Sequence, residues 1–306
     1  MNAALYTFTV FAWGASWLAV KYQLGVVAPE ASLVYRFALS AVIMFALCLA
    51  TGRSLRFGLR AHGRLALLGL LLFSTNYYLI YLATRDMTSG LVAVGFSAVT
   101  VLNIVNGALF MGVPVRPRAV LGAATGIAGI GLVFWPEIAG FDLGGRGLAA
   151  LGLCLAGTFS ASLGMVTSGV NQRRGLPVVQ GNAWGMAYGA VFMGAMTLAG
   201  GTTFDFDPRP LYVGSLAFLV VISTVIGFWC YLTLLGRIGP DRAGYATVLF
   251  PIVALALSTL FEGYAWTPPA ILGLALVLAG NVLVLTGGGA RRAEKQPKTA
   301  AEPGKV

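Results

Sequence analysis

Charge is the scarcest ingredient of this chain. Asp, Glu, Lys and Arg make up 10% of its 306 residues, against roughly 25% in ordinary soluble domains, which is too little to coat a soluble surface of that size. The acids fall at segment ends, in turns or in the tail, so no carboxylate is expected in the middle of a hydrophobic run to hold a cation or relay a proton. The one histidine, His62, lies in a basic stretch, which argues against a His-based triad or a His-rich metal site. Cys48, Cys154 and Cys230 are far apart within apolar runs and read as packed thiols, neither disulfides nor metal ligands. Gly145, Gly147 and Ala150 fit a relaxed dinucleotide fingerprint, but no strand precedes them and the match is chance. Together these gaps exclude an enzyme of the usual kinds and leave no expected cofactor or metal.

What the chain has is apolar length. Apolar residues are 58% of the total, and a helix crossing a bilayer needs about 20 of them in a row. Ten spans fit, near Ala4–Leu24, Ala31–Thr51, Arg64–Thr84, Ser89–Met111, Arg118–Trp135, Leu148–Ser168, Val178–Ala199, Leu211–Leu235, Ala243–Phe261 and Pro268–Thr286. The first is too long for a signal peptide and has no small-residue cleavage pattern. Loop charges support the count. The even-numbered junctions hold Arg53, Arg56, Arg60 and Arg64, then Arg116 and Arg118, Arg173 and Arg174, and Arg237 and Arg242, while the tail holds Arg291, Arg292, Lys295, Lys298 and Lys305. The odd-numbered junctions hold Lys21, Arg36, Arg85, Arg146 and Arg209 beside Glu30, Asp86, Glu137, Asp142, Asp205, Asp207 and Glu262. Basic loops stay on the cytoplasmic side, so both termini are expected there. The net charge of +10 is then mostly sidedness and a basic, disordered tail, and it calls for a lipid bilayer and no nucleic acid.

The chain also repeats itself. Leu109 to Val133 and Leu260 to Val284 align without a gap at an offset of 151, with 12 of 25 positions identical, among them Gly122/Gly273 and Gly129/Gly280. The turn of the first copy carries Arg116 and Arg118, whereas that of the second carries Glu262. The copies should therefore face opposite sides of the membrane. An all-α membrane protein of two inverted five-helix repeats follows, with residues 1–143 as the first repeat, 144–287 as the second and 288–306 as the tail. Inverted repeats are a recurring plan of secondary transporters, whose substrate sites lie near the midplane between the halves. Small residues at Gly122, Gly126, Ala275 and Ala279 suit tight helix contact, either within one chain or in a homodimer.

Polar and aromatic residues inside spans mark the candidate site. Ser74, Tyr78, Tyr81 and Arg85 follow one helical face of the third span; Asn76 and Tyr77 lie off it. Trp13 and Trp17 stand one turn apart in the first span and either line a cavity or fill a core. Ser97 and Thr100 share a face in the fourth span, Ser162 lies in the sixth and Thr224 in the eighth; Ser and Thr in such places also bond to their own helix. Pro251 should kink the ninth span and free a carbonyl near Thr247. The substrate-binding set is thus Trp13, Trp17, Ser74, Tyr78, Tyr81, Ser97, Thr100, Ser162, Thr224 and Pro251, around an uncharged hollow of rings and hydroxyls.

The run GPDRAGYATVLFP ending at Pro251, the LFEG that follows, and the proline and glycines of the tenth span resemble the second repeat of the ten-helix drug/metabolite transporter superfamily, EamA type. FAWGASWLAVKY, followed by Pro29 and Arg36, resembles the start of its first repeat. One departure is that the acid expected at the end of the fourth span is Met111; only Glu262 keeps it. The resemblance implies export of amino acids or related small metabolites across a bacterial inner membrane, with the aromatic amino-acid exporters as the nearest subgroup. The competing class is a non-transporting receptor or assembly component that reuses the fold.

Overall fold

A computed structural model describes residues 2–135, 146–244 and 246–286. Among these residues the chain forms ten helices and no strand. They are α1 (Asn2–Lys21), α2 (Pro29–Ala50), α3 (Leu59–Asp86), α4 (Ser89–Met111) and α5 (Pro117–Val133) in the first half. The second half holds α6 (Arg146–Arg173), α7 (Val178–Ala199), α8 (Pro210–Ala217 continuing through Phe218–Ile226 into Gly227–Gly244), α9 (Ala246–Phe261) and α10 (Pro268–Thr286). Proline at the first helical turn starts α2, α5 and α8, where its missing N–H costs nothing and its fixed φ suits the helix. Apolar side chains such as Leu109, Leu198 and Leu260 point outward and are exposed, as a lipid-facing surface requires. The boundary between the repeats at 143/144 and the tail 288–306 lie outside the described residues.

The offset of 151 runs through the whole architecture. Shifted by that amount, α2 falls on α7, α3 on α8 and α5 on α10. Even an irregularity is duplicated: α3 loosens into a π-helical stretch at Gly69–Thr75, and the shifted range, 220–226, lies inside the π stretch Phe218–Ile226 of α8. Such wide turns concentrate at functional positions.

The contact between α5 and α10 fixes how the halves are related. A Cβ on Gly122 would stand 2.6 Å from the Gly280 carbonyl, and one on Gly129 would stand 2.6 Å from the Gly273 carbonyl. Residue numbers rise along one helix as they fall along the other, so the pair is antiparallel. Gly122 and Gly273 are repeat counterparts, as are Gly129 and Gly280. Exchanging the repeats therefore turns each contact into the other, as a two-fold axis demands. A two-fold axis that relates antiparallel membrane helices lies in the membrane plane, and this is the inverted arrangement. Gly122 and Gly126 thus serve a contact within the chain, with Gly273 and Gly280 opposite them, whereas Ala275 and Ala279 lie on the exposed side of α10. An impermeant thiol reagent should label cysteines at Arg116 and Glu262 from opposite faces of intact cells or oriented vesicles; labelling from one face alone would rule the inversion out.

Three sequence expectations need correction. The junction placed around Arg237 and Arg242 is helical, because α8 continues to Gly244. The fourth span breaks: Ser89–Phe96 and Val99–Met111 are joined by three-residue turns in which the Ser97 and Ala98 amides donate to Val94 and Gly95. Arg36, counted with a junction, lies inside α2. Pro251 stands inside α9, the span expected to carry it.

Candidate functional site

α1 passes between the broken α4 and the proline-bearing α9, and the close approach depends on Gly14. A Cβ there would stand 2.5 Å from the Val253 side chain, so glycine lets α9 come against α1 one turn from Pro251. Trp17 is held at this crossing. Its ring lies 5.2 Å from Phe96 of α4 and 5.8 Å from Phe250 of α9, nearly parallel to the latter at 18°. Offset aromatic contacts of this kind add about 0.5–1.5 kcal/mol each beyond area burial. One turn away, Trp13 faces α8. Its indole Nε1 donates to the Ser223 carbonyl at 3.2 Å, and its ring meets Tyr231 at 4.9 Å and Phe228 at 5.8 Å. Ser223 lies in the π stretch of α8, so Trp13 bonds the backbone where the helix is loosest. Both tryptophans are half-buried.

The structure thus brings Trp13, Trp17 and Pro251 together in one aromatic corridor shared by α1, α4, α8 and α9, and adds Phe96, Phe250 and Tyr231 to it. The sequence offered no periodicity that would single out Phe96 or Phe250, since their partner lies on another helix. The hydroxyl residues are placed differently. Ser74 donates to Leu70 at 2.7 Å, Ser97 to Ala93 at 3.3 Å, and Thr224 to Leu219 at 2.7 Å, the last across five residues. Each is buried, with its hydroxyl donating to its own helix. Ser162 accepts from Asn106 Nδ2 at 2.9 Å, a bond between α6 and α4. Thr100, just past the break in α4, is half-buried, as is Tyr78.

Tyr81 is fully buried, with its hydroxyl against the guanidinium of Arg36, so the interior of the first repeat is not uncharged. Arg36 is only 3% exposed, and its Nε and Nη1 lack acceptors. The guanidinium sits 4.6 Å from the ring centre of Tyr77 and 5.3 Å from that of Phe37. This cluster of α2 and α3 was missed because one arginine does not lower the hydropathy of a 22-residue apolar run enough to end it. A signal existed: Arg36 stands seven residues past the helix-starting Pro29, well inside the span.

The Glu262 turn is tied to the link between α3 and α4. Glu262, at the end of α9, accepts from the Ser89 amide at 3.0 and 3.1 Å, from the Ser258 hydroxyl at 2.7 Å and from the Ser89 hydroxyl. Ser89 opens α4, so the carboxylate caps the positive end of that helix. Lys21, at the end of α1, donates to the carbonyls of Thr84 at 2.7 Å and Met87 at 3.2 Å, at the negative end of α3.

The sequence and the fold match known proteins. Residues 2–135 and again 147–286 match a family described as EamA-like transporters. The chain belongs to the EamA-like transporter family. The two matched blocks correspond to the two repeats, and an EamA-like transporter built this way is a multi-pass membrane protein of a family that moves solutes. An uncharacterized transporter of Archaeoglobus fulgidus is 22% identical over 285 residues, covering 90% of this chain and 96% of the relative. The uncharacterized transporter YvbV of Bacillus subtilis is 26% identical over 302 residues, covering 95% and 94%. A crystal structure of another protein superposes with a TM-score of 0.65 at 16% identity, over 94% of this chain and 98% of that one, which concerns the fold alone.

Proposed function

We propose that this EamA-like transporter exports small amphipathic metabolites, amino acids including aromatic ones, by alternating access, with both termini in the cytoplasm. The observation that carries this reading is the setting of Trp17. Its ring packs between Phe96 of one repeat and Phe250 of the other, where α4 is broken and α9 carries Pro251. Irregular helices at the interface of inverted repeats supply both bending points and backbone polar groups for a substrate. Aromatic rings beside them suit an apolar side chain, with the polar ends of the solute left to hydrogen bonds.

The test is flux of labelled amino acids into proteoliposomes, with and without a pH gradient. If none crosses faster than in protein-free vesicles, the amino-acid reading fails. Trp17→Ala is expected to lower flux at least tenfold, about 1.4 kcal/mol of lost interaction, with the melting temperature changed by only a few degrees. Unchanged flux would remove Trp17 from the pathway. Tyr78→Ala should lower flux less, because only part of its ring reaches the interior.

A further inference from the structure

The buried guanidinium of Arg36 is not explained by packing. A charged side chain inside a span is costly and is ordinarily paired. Arg36 lies roughly 10 Å along α2 from its start at Pro29, at 1.5 Å per residue. Among the described residues no Asp or Glu lies within ion-pair distance of it; the one such pair is Arg209 with Asp207, in the turn before α8. Stacking on Tyr77 at 4.6 Å and Phe37 at 5.3 Å recovers part of that cost and satisfies no N–H. The Ser40 hydroxyl, one turn further along the same face of α2, is also buried without a partner. Nε and Nη1 of Arg36 and the hydroxyl of Ser40 therefore lie buried on one face of α2 with donors unmatched, and the Tyr81 hydroxyl stands against the guanidinium.

The repeat shows that the scaffold does not need this charge. At the offset of 151, Arg36, Ser40, Tyr77 and Tyr81 correspond to Ala187, Val191, Phe228 and Leu232. Every polar member has an apolar counterpart, although the same pair of helices is built in the other half, down to the shared π stretch. The cluster is an addition to one repeat, made of one cation and hydroxyl donors, and that set matches a carboxylate.

We infer that Arg36 is the carboxylate-recognition site of the pathway, with Tyr81 and Ser40 as its hydroxyl donors; this rests on the proposed transport of amino acids and names the group that selects them. The substrate carboxylate is held by the guanidinium beside the Tyr77 ring. Solutes lacking the carboxylate leave the cation unpaired and are disfavoured.

The experiment compares, in proteoliposomes of the full chain, the amino acid moved fastest in the screen with its own amide. Wild type should prefer the acid at least tenfold, and Arg36→Gln should abolish that preference by lowering acid flux at least tenfold while amide flux changes less than twofold. Equal losses for both solutes, or no loss, overturn the assignment. If wild type moves no amino acid, the transport reading fails, and Arg36 is then judged by binding alone. In that arm, which also serves if Arg36→Gln does not fold, purified wild type is melted with phenylalanine, phenylpropionate, phenylalaninamide or phenethylamine. The two carboxylates should raise the melting temperature by about 3 °C or more and the amide and amine should not, since a ligand stabilises the state it binds. Equal shifts for all four, or none, overturn the assignment as well.

Discussion

Gly129→Leu is expected to leave almost no monodisperse protein after extraction in mild detergent. The Cβ alone would stand 2.6 Å from the Gly273 carbonyl and 2.6 Å from the Val277 amide nitrogen, and both are backbone atoms that cannot rotate away. α5 and α10 would have to separate along their length, and they are held by close backbone approach, since lipid chains are as apolar as their side chains. Destabilisation of about 4 kcal/mol or more is the expected order, at the severe end for single substitutions. By the two-fold axis, Gly280→Leu should do the same, with its Cβ 2.5 Å from the Gly122 carbonyl. The matched controls are Gly126→Ala and Gly131→Ala on the same helix, whose added Cβ meets nothing within 4 Å; these should melt within a few degrees of wild type. A Gly129→Leu protein that extracts and melts normally would mean that the two backbones are not in contact, and the axis drawn through them would fall.

Those glycines show what could be read from the chain before its structure was described. The repeat, the ten spans and their inversion follow from long-range regularities: a 151-residue offset, apolar length and the alternation of basic loops. Each is a property of many residues at once and survives local exceptions. The site depends on single contacts between helices, and there the one-dimensional pattern is weaker. Trp17 stood out because a large ring away from the interface is rare, with cavity and core both open, but its partners Phe96 and Phe250 look like any phenylalanine in an apolar run. Ser74, Ser97 and Thr224 look like a polar lining in sequence, yet their hydroxyls donate to carbonyls of their own helices. Arg36 was displaced to a junction by the same charge counting that located the spans correctly. Pro251 was expected to kink the ninth span, but no residue signalled the interruption of α4 at Ser97 and Ala98, three-residue turns without any proline. Helix breaks imposed by tertiary packing leave no such signature.

Glu262→Ala is expected to open the mouth at its own turn. In the structure that carboxylate gathers the Ser89 amide and the hydroxyls of Ser89 and Ser258, so its removal leaves a helix N-terminus and two hydroxyls without their acceptor. Hydrogen bonds to a charged group contribute about 1.5–3 kcal/mol each in net terms, and an equilibrium between mouth-closed and mouth-open forms shifts tenfold for every 1.4 kcal/mol. The repeat counterpart of Glu262 is Met111, which offers no carboxylate to a helix N-terminus; there Arg173 Nη1 donates to the Met111 carbonyl at 3.0 Å. Wild type should therefore rest closed at the Glu262 side, with the acid setting that bias. Ala93 lies fully buried one turn below Ser89 and reports it. With Cys48, Cys154 and Cys230 replaced by alanine, Ala93→Cys should react slowly with an impermeant thiol reagent added from the Glu262 face, and at least tenfold faster once Glu262→Ala is introduced. Glu262→Gln should fall between, because an amide offers one acceptor oxygen and no charge to the α4 terminus. Equal labelling rates in all three backgrounds would show that the bonds to Ser89 cap a helix without governing access.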